Sequence, residues 1–181
     1  MNKLKELQEL EKKMAKREFY TNHFIGKMVF GEGNVDARIM FVGEAPGKQE
    51  AENGRPFIGR SGQLLRKFIR SLELAEEDVY ITSPVKYLPK HGTPKKKEIE
   101  QARVDFMKQI DIIDPQIIVL LGKTAIYAVL EEDIPILKNH GDIIERGGRT
   151  YLLTLHPAAG LRFPKYQKLI QEDFSKLKGY L

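Results

Sequence analysis

In this 181-residue chain, the residues whose types and positions could together support chemistry on a bound molecule are Glu44, Phe57 and His156. A carboxylate and an imidazole can move protons or stabilise charge, and an aromatic ring can stack on a planar ligand. Each of the three also has a plainer interpretation. Glu44 could be a solvated loop carboxylate, Phe57 a core residue, and His156 a core histidine that caps a helix.

The segment around Glu44 is rich in glycine, which allows close backbone approach, and in proline, which fixes the backbone. Four glycines and two prolines fall within 17 residues: Gly43, Pro46, Gly47, Gly54, Pro56 and Gly59. Neither common phosphate-binding pattern fits, because no Ser or Thr follows Gly47-Lys48 and the earlier Gly31-Glu-Gly33 lacks a third glycine. We therefore expect this loop to present side chains rather than to cradle a phosphate.

Apolar runs and helical patterns alternate along the chain, which is typical of an α/β fold. Four short runs are almost continuously apolar, as in strands that are buried on both faces: 38–43, 79–82, 117–121 and 151–155. Helical patterns follow them at 61–74, 95–113, 123–131 and 164–178. We predict a single domain over residues 1–181, with an open, mostly parallel four-stranded sheet and helices on both faces.

The N-terminal segment is highly charged but carries a regular apolar pattern. Within residues 2–18, Leu4, Leu7, Leu10 and Met14 recur at helical spacing, which predicts an amphipathic helix packed on the body of the protein. We assign residues 1–20 to this N-terminal docking helix.

Polar or glycine-rich residues follow each of the four predicted strands. Glu44 follows the first strand, Ser83 the second, Gly122 the third and His156 the fourth. Because the carboxyl ends of parallel strands meet at one edge of a sheet, we expect these residues to converge there and form a ligand site.

The charge of the chain is basic overall and unevenly distributed. The formal net charge is +5, and basic side chains outnumber acidic ones within 47–70, 84–103 and 146–181. These windows surround the candidate site, so the pattern favours a polyanionic partner such as nucleic acid. A solvated, lysine-rich surface would give a similar composition.

Composition argues against several kinds of site and location. The chain has no cysteine, which excludes disulfides, thiol nucleophiles and cysteine-held iron–sulfur clusters. Its four histidines are scattered, so we expect no metal site. The N-terminus lacks the apolar stretch of a signal peptide, and no apolar run reaches membrane-spanning length. We therefore expect a cytoplasmic protein without membrane association.

The order of the motifs resembles that of the uracil-DNA glycosylase superfamily, most closely its family 4, the thermophile-type enzymes. The stretches that carry the resemblance are Gly31-Glu-Gly33-Asn34, 39–47, Glu50, Gly54-x-Pro56-Phe57-Ile58-Gly59, Gly62, Leu64-Leu65, Tyr80-Ile-Thr82, Val85-Lys86, Thr93-Pro94, Glu98-Ile99, Leu121-Gly122, His156-Pro157 and Leu161-Arg162. The resemblance implies a monomeric enzyme of base excision repair. Such an enzyme flips uracil out of DNA and hydrolyses its N-glycosidic bond.

The resemblance also implies roles for individual residues. Glu44 would position water or stabilise the cationic sugar, and His156 would donate a hydrogen bond to O2 of the base. The base pocket would further contain Gly43, Ala45, Glu50, Phe57 and Ser83, with Phe57 stacking on the flipped base and Glu50 supporting the loop. Leu161 would belong to the segment Leu161-Arg162-Phe163-Pro164-Lys165, which inserts into DNA to hold the gap. Phosphate contacts would come from Lys48, Arg60, Lys86, Arg162 and Lys165.

The chain departs from family 4 where that family holds an iron–sulfur cluster with four cysteines. Tyr87 and Ala102 stand at two of these positions, and the other two fall near Lys16 and Phe19. Apolar packing through Phe19, Tyr87 and Ala102 could replace a structural cluster. We therefore expect activity without a cofactor.

Two further departures concern the pocket. Ser83 stands where the family has the asparagine that reads uracil, and Ala158 where the family usually has serine. Uracil is the leading substrate, but Ser83 leaves open a glycosylase for another deaminated base, such as hypoxanthine or xanthine. A non-catalytic nucleic-acid-binding protein of the same fold is a third hypothesis. The presence of Glu44, Phe57 and His156 argues against it.

Overall fold

The computed structural model describes residues 2–181, with the side chains of residues 21 and 22 excepted, so residue 1 of the predicted docking segment lies outside it. The helices of this range are α1 Lys3–Ala15, α2 Phe19–His23, α3 Lys48–Asn53, α4 Arg60–Ser71, α5 Lys96–Ile113, α6 Lys123–Leu130, α7 Ile136–Asn139, α8 Pro157–Arg162 and α9 Pro164–Lys176. None of the helices described is long and apolar enough to cross a membrane. The strands are β1 Phe24–Ile25, β2 Glu32–Gly33, β3 Ile39–Val42, β4 Val79–Thr82, β5 Leu88–Pro89, β6 Ile117–Leu121, β7 Ile143–Arg146 and β8 Arg149–Thr154.

Six of these strands form one sheet in the order β2-β4-β3-β6-β8-β7. The four inner strands run parallel to one another. The two edge strands, β2 and β7, are antiparallel to their neighbours. β1 and β5 pair separately as a short antiparallel ribbon.

The predicted α/β fold with a mostly parallel sheet is confirmed, and the four predicted strands form its centre. The sheet is wider than predicted, because it has six strands rather than four. β2 has only two residues, which is too short to leave a pattern in the sequence. β7 is only partly buried and joins β8 through Gly147 and Gly148, both at positive φ, as a tight hairpin requires.

Each face of the sheet has its own hydrophobic core, because successive strand residues point to opposite faces. On one face, Met40, Ile118 and Leu153 pack with residues of α1, α5 and α6. On the other face, Phe41 and Val119 pack with residues of α4 and α9. Helices on both faces thus keep the inner strands from water, which explains why their sequences are continuously apolar.

The N-terminal helix ends at Ala15, so the predicted bound at residue 20 is wrong, and the helix packs on the body through a narrower stripe than predicted. Leu7, Leu10 and Met14 are buried, but Leu4 is 50% exposed. With about 3.6 residues per turn, Leu4 lies roughly 90° around the helix from the centre of the buried stripe. The prediction that Leu4 docks is therefore wrong.

Candidate active site

A pocket of about 310 Å³ opens at the carboxyl edge of the parallel strands. Six of the seven side chains predicted to catalyse or to bind a base line it: Glu44, Ala45, Glu50, Phe57, Ser83 and His156. They come together because β3, β4 and β8 end at the same edge and the loops that follow carry these residues. The seventh, Gly43, lies behind Phe57.

Phe57 is held in a constrained position at the pocket wall. Its φ of 52° lies in the left-handed region, which is uncommon for a residue with a large side chain. The ring packs so closely on Gly43 that a Cβ there would lie 2.4 Å from Phe57 Cζ. On the pocket side the ring stacks near the imidazole of His156, with centroids 5.9 Å apart and planes inclined by 28°. Phe57 is therefore both a core residue and a pocket residue.

The buried carboxylate of Glu50 fixes the loop that carries Phe57. Its Oε1 atom accepts hydrogen bonds from the backbone N–H of Ile58, at 3.0 Å, and of Gly59, at 2.8 Å. Gly59 is the residue from which α4 begins. Glu50 thus ties the short helix α3 to the start of α4 and determines where the intervening loop ends.

Arg66 holds the same loop from the other side, and sequence reasoning missed it. Its guanidinium donates to the carbonyl oxygens of Phe57, at 3.1 Å, and Pro56, at 3.2 Å. It is anchored in turn by the carboxylate of Glu32, at 2.6 Å. In the sequence Arg66 is one of several charged residues in a helix, and its partner Glu32 is 34 positions away, so no local signal identifies it.

The carboxylate of Glu44 is oriented by a residue from a third strand end. Thr124 Oγ1 donates a hydrogen bond to Glu44 Oε2 at 2.7 Å. Thr124 lies in the first turn of α6, two residues after Gly122. Sequence reasoning missed Thr124, although its position beyond the third predicted strand is a signal that could have found it.

His156 is held as a neutral hydrogen-bond donor. Its Nδ1 atom accepts the backbone N–H of Ala158 at 3.2 Å, at the start of α8. A neutral ring that accepts at Nδ1 carries its proton on Nε2. Burial lowers the pKa of His156 to about 4, against the opposing influence of the Glu50 carboxylate. At neutral pH the ring is therefore uncharged.

The hydroxyl of Ser83 is engaged by the backbone of its own loop. Ser83 is buried, and its Oγ atom donates to the carbonyl oxygen of Val85 at 2.9 Å. Because a hydroxyl has one proton, this bond leaves Oγ only its lone pairs for a ligand.

Lys86 does not lie where a phosphate could reach it, so its predicted DNA contact is wrong. The side chain is fully buried. Its Nζ atom donates to Phe30 O at 2.9 Å, Thr82 Oγ1 at 2.7 Å and Gln109 Oε1 at 2.6 Å. Burial lowers the pKa of Lys86 well below its ordinary value. Lys86 therefore joins the loop after β4 to the interior.

The other predicted DNA-contacting residues lie on the surface. Lys48, Arg60, Arg162 and Lys165 are exposed. Leu161 is 40% exposed, and Phe163, which belongs to the same predicted inserting segment, is 44% exposed. An exposed apolar pair beside two cations forms the corner between α8 and α9.

The region that would hold an iron–sulfur cluster does not fit one. Four rings pack together there, with neighbouring centroids 4.2–5.1 Å apart: Phe19, Tyr20, Phe24 and Tyr87. Ala102 is buried in the same core, and the chain offers no thiolate. Within residues 2–181, no group of three or more His, Asp or Glu side chains is arranged to hold a metal ion.

The low pKa of His156 leads to a prediction about how the free energy of unfolding depends on pH. Between pH 6.5 and 4 the unfolded chain protonates this histidine and the folded chain does not, so acid reduces the free energy of unfolding by up to about 3 kcal/mol. Above pH 6.5 the residue contributes no pH dependence. His156→Asn, which can still cap α8, should remove this part of the acid sensitivity in urea unfolding at pH 7, 6 and 5. Identical pH slopes for both proteins would contradict the assignment.

The burial of Lys86 makes a second prediction. Lys86→Met removes the buried group that donates to Phe30 O, Thr82 Oγ1 and Gln109 Oε1, although Thr82 and Gln109 still donate to Phe30 O. It should lower the free energy of unfolding by about 2–4 kcal/mol in chemical denaturation. Lys48→Met removes an exposed lysine and should change it by less than about 0.5 kcal/mol. A Lys86→Met protein with unchanged stability and weakened DNA binding would reinstate Lys86 as a phosphate contact.

Comparison with known proteins gives consistent matches over most of the chain. Residues 30–178 match the family model of the uracil DNA glycosylase superfamily. The type-4 uracil-DNA glycosylase of Thermotoga maritima is 40% identical over 159 residues, which are 85% of this chain and 83% of that protein. The type-4 uracil-DNA glycosylase of Sulfurisphaera tokodaii is 38% identical over 161 residues, or 82% of this chain and 72% of that protein.

One further relative has a different name. A DNA polymerase of Bacillus phage SP01 is 32% identical over 160 residues, which are 87% of this chain but only 17% of the polymerase. A match over nearly the whole of this chain to so small a part of the polymerase indicates a shared module. With a family model that matches 30–178 and relatives of similar length at up to 40% identity, the chain belongs to the uracil DNA glycosylase superfamily.

Proposed function

We propose that this chain is a DNA glycosylase that removes uracil from DNA by hydrolysing its N-glycosidic bond. One observation carries the proposal. The pocket at the carboxyl edge combines an oriented carboxylate, a neutral imidazole donor and an aromatic ring around a cavity of about 310 Å³. Membership in the superfamily and the names of the relatives support the same activity.

Glu44 acts on the sugar side of the reaction. Breaking the bond builds positive charge on the sugar, and a nearby carboxylate stabilises that charge or orients the attacking water. Thr124 occupies Oε2 of this carboxylate. Within the described residues no protein group bonds to Oε1, so this atom is available to water or to the sugar.

His156 acts on the base side. The departing base takes the bonding electrons, and O2 of uracil becomes more negative as the bond lengthens. A neutral Nε2–H donor placed at O2 stabilises that charge most in the transition state, which raises the rate rather than the ground-state affinity. With its pKa lowered to about 4 by burial, the ring acts as a fixed donor and not as a general acid.

Phe57 receives the face of the flipped base. Extrusion of a base from a duplex costs a few kcal/mol of stacking, which an aromatic surface in the pocket partly returns. The exposed Leu161 and Phe163 are suited to fill the gap left in the duplex, because apolar side chains inserted between base steps hold such openings. The neighbouring Arg162 and Lys165 supply charge for the phosphates.

The proposal also covers the cofactor requirement, the oligomeric state and the cellular location of the enzyme. With no cysteine and with aromatic packing where a cluster would lie, the enzyme needs no cofactor. The residues that the mechanism uses all come from one chain, so a second subunit is not needed to complete the pocket, and we propose that the enzyme works as a monomer. We place this activity in the cytoplasm.

The catalytic assignment makes a third prediction. Glu44→Ala or His156→Ala should lower the single-turnover rate of uracil release about 10²–10³-fold, because each group acts on charge that develops in the transition state. Phe57→Ala should also lower the rate, and all three should change DNA affinity much less. The measurement is release of uracil from a labelled oligonucleotide, with the exposed Glu52→Ala as a matched control. Near wild-type rates for all three variants would remove this pocket as the active site.

The surface charge makes a fourth prediction. DNA affinity should fall steeply as salt rises, and Arg162→Ala with Lys165→Ala should weaken binding and flatten the salt dependence on any sequence. Arg162→Ala alone removes one charge and should also weaken binding. Lys5→Ala, on α1, also removes one charge but lies two residues from Lys3, which contacts the far end of α5, so it should bind as wild type does. Affinity that does not change with salt would count against DNA as the partner.

A further inference from the structure

We propose that the Ser83 hydroxyl accepts a hydrogen bond from a ring N–H group of the base, and that the enzyme therefore releases hypoxanthine as well as uracil. This inference rests on the proposed glycosylase function and extends its substrate class to a deaminated purine. The observation behind it is the fixed direction of the Ser83 hydroxyl.

Ser83 is an acceptor at the wall of the pocket. Its only hydroxyl proton is donated to Val85 O at 2.9 Å, within a loop of three residues. Pro84, between them, has no N–H and offers no competing donor. A base that fills the pocket displaces the water that could otherwise replace a missing partner of Ser83. A ligand atom opposite Oγ must therefore be a donor, or both atoms stay unsatisfied.

Deamination of cytosine or adenine changes one ring nitrogen of the base from a hydrogen-bond acceptor to a donor. Cytosine N3 and adenine N1 are acceptors, and they become N–H donors in uracil and hypoxanthine. A buried acceptor pairs with either product and faces a lone pair in either parent. Guanine already carries an N1–H, so Ser83 alone does not distinguish it from xanthine. The specific expectation therefore concerns the two pairs uracil–cytosine and hypoxanthine–adenine.

The pocket has room for the larger base. Its volume of about 310 Å³ equals that of roughly ten waters at about 30 Å³ each. Hypoxanthine exceeds uracil by one fused five-membered ring. A serine also reaches less far into the pocket than an asparagine would, which leaves space for the longer base at that wall.

The same kind of bond breaks for both bases, although hypoxanthine has no O2 to accept a hydrogen bond from His156. The bond between C1′ of the sugar and the ring nitrogen of the base breaks, and its electron pair leaves with the base. Water supplies a hydroxyl to C1′ and a proton to the solvent or the base. The products are an abasic site and free uracil or free hypoxanthine, and no oxidant or cofactor is required.

The test is single-turnover release of base by the wild-type chain from oligonucleotides that each contain one uracil, hypoxanthine, cytosine or adenine. We expect release of uracil and hypoxanthine, and none of cytosine or adenine. Ser83→Ala should slow the release of both bases by a similar factor of roughly 10–100. Ser83→Asn should raise the rate ratio of uracil to hypoxanthine about tenfold or more, because the longer amide occupies the extra space.

Ser71→Ala is the matched control. Ser71 also donates its hydroxyl proton to a backbone carbonyl, Phe68 O at 2.6 Å, but it lies at the end of α4 outside the pocket. Its rates should equal those of wild type. Thermal unfolding shows whether each variant is folded. If Ser83→Ala is not folded, the rates of Ser83→Asn decide the test.

The outcomes separate this inference from the proposed function. Release of uracil without hypoxanthine overturns the inference and leaves the uracil activity standing. Release of neither base overturns the proposed function. Release of cytosine or adenine at rates like those of uracil, or a folded Ser83→Ala protein with unchanged rates, shows that Ser83 does not read the base.

Discussion

The buried Glu50 carboxylate holds the ends of two helices together, and the shape of the pocket depends on this contact. Its Oε1 atom accepts the N–H groups of Ile58 and Gly59, where α4 begins. These two hydrogen bonds, together with those that Arg66 donates to the preceding carbonyl oxygens, keep Phe57 in a left-handed backbone conformation. The ring is thereby pressed onto Gly43 and faces His156. Strain in the backbone of this loop is offset by charged hydrogen bonds, as is common around functional sites.

The sequence predicts the sheet and its functional edge well, because both follow from local patterns. Continuous apolar runs identified all four parallel strands, and the residues after β3, β4 and β8 meet in one pocket. The edge strands were missed because β2 is too short and β7 too exposed to leave such a pattern. The error at Leu4 has a similar cause, because helical spacing alone indicates that a helix has a buried stripe but not how wide that stripe is.

Long-range contacts explain what the sequence could not show. Lys86 follows a strand in a basic, proline-containing loop and resembles a phosphate contact. Its acceptors Phe30 and Gln109 are 56 and 23 positions away, and only the folded chain brings them to its ammonium group. Arg66 was missed for the same reason, because it acts on a pocket loop from another element. Thr124 lies beyond a predicted strand end, which marks its position, but its partner Glu44 is 80 positions away.

The direction of each hydrogen bond is the second property that required the structure. Residue types alone allow His156 and Ser83 to act as donors or acceptors. The bond from Ala158 leaves the imidazole with a proton on Nε2, and the bond to Val85 leaves the Ser83 hydroxyl without one. The pocket therefore presents a neutral donor and a fixed acceptor, a pair suited to a base with adjacent carbonyl and N–H groups.

The central claim is that this pocket hydrolyses the uracil glycosidic bond with a neutral imidazole as donor. It is tested most directly by single-turnover uracil release from a uracil-containing oligonucleotide between pH 6 and 8. The account predicts free uracil at every pH, at rates that differ by less than about threefold, because burial keeps the pKa of His156 at about 4. Intact DNA throughout this range, or a rate that rises about tenfold for each unit of falling pH as an imidazolium acid would give, would contradict it.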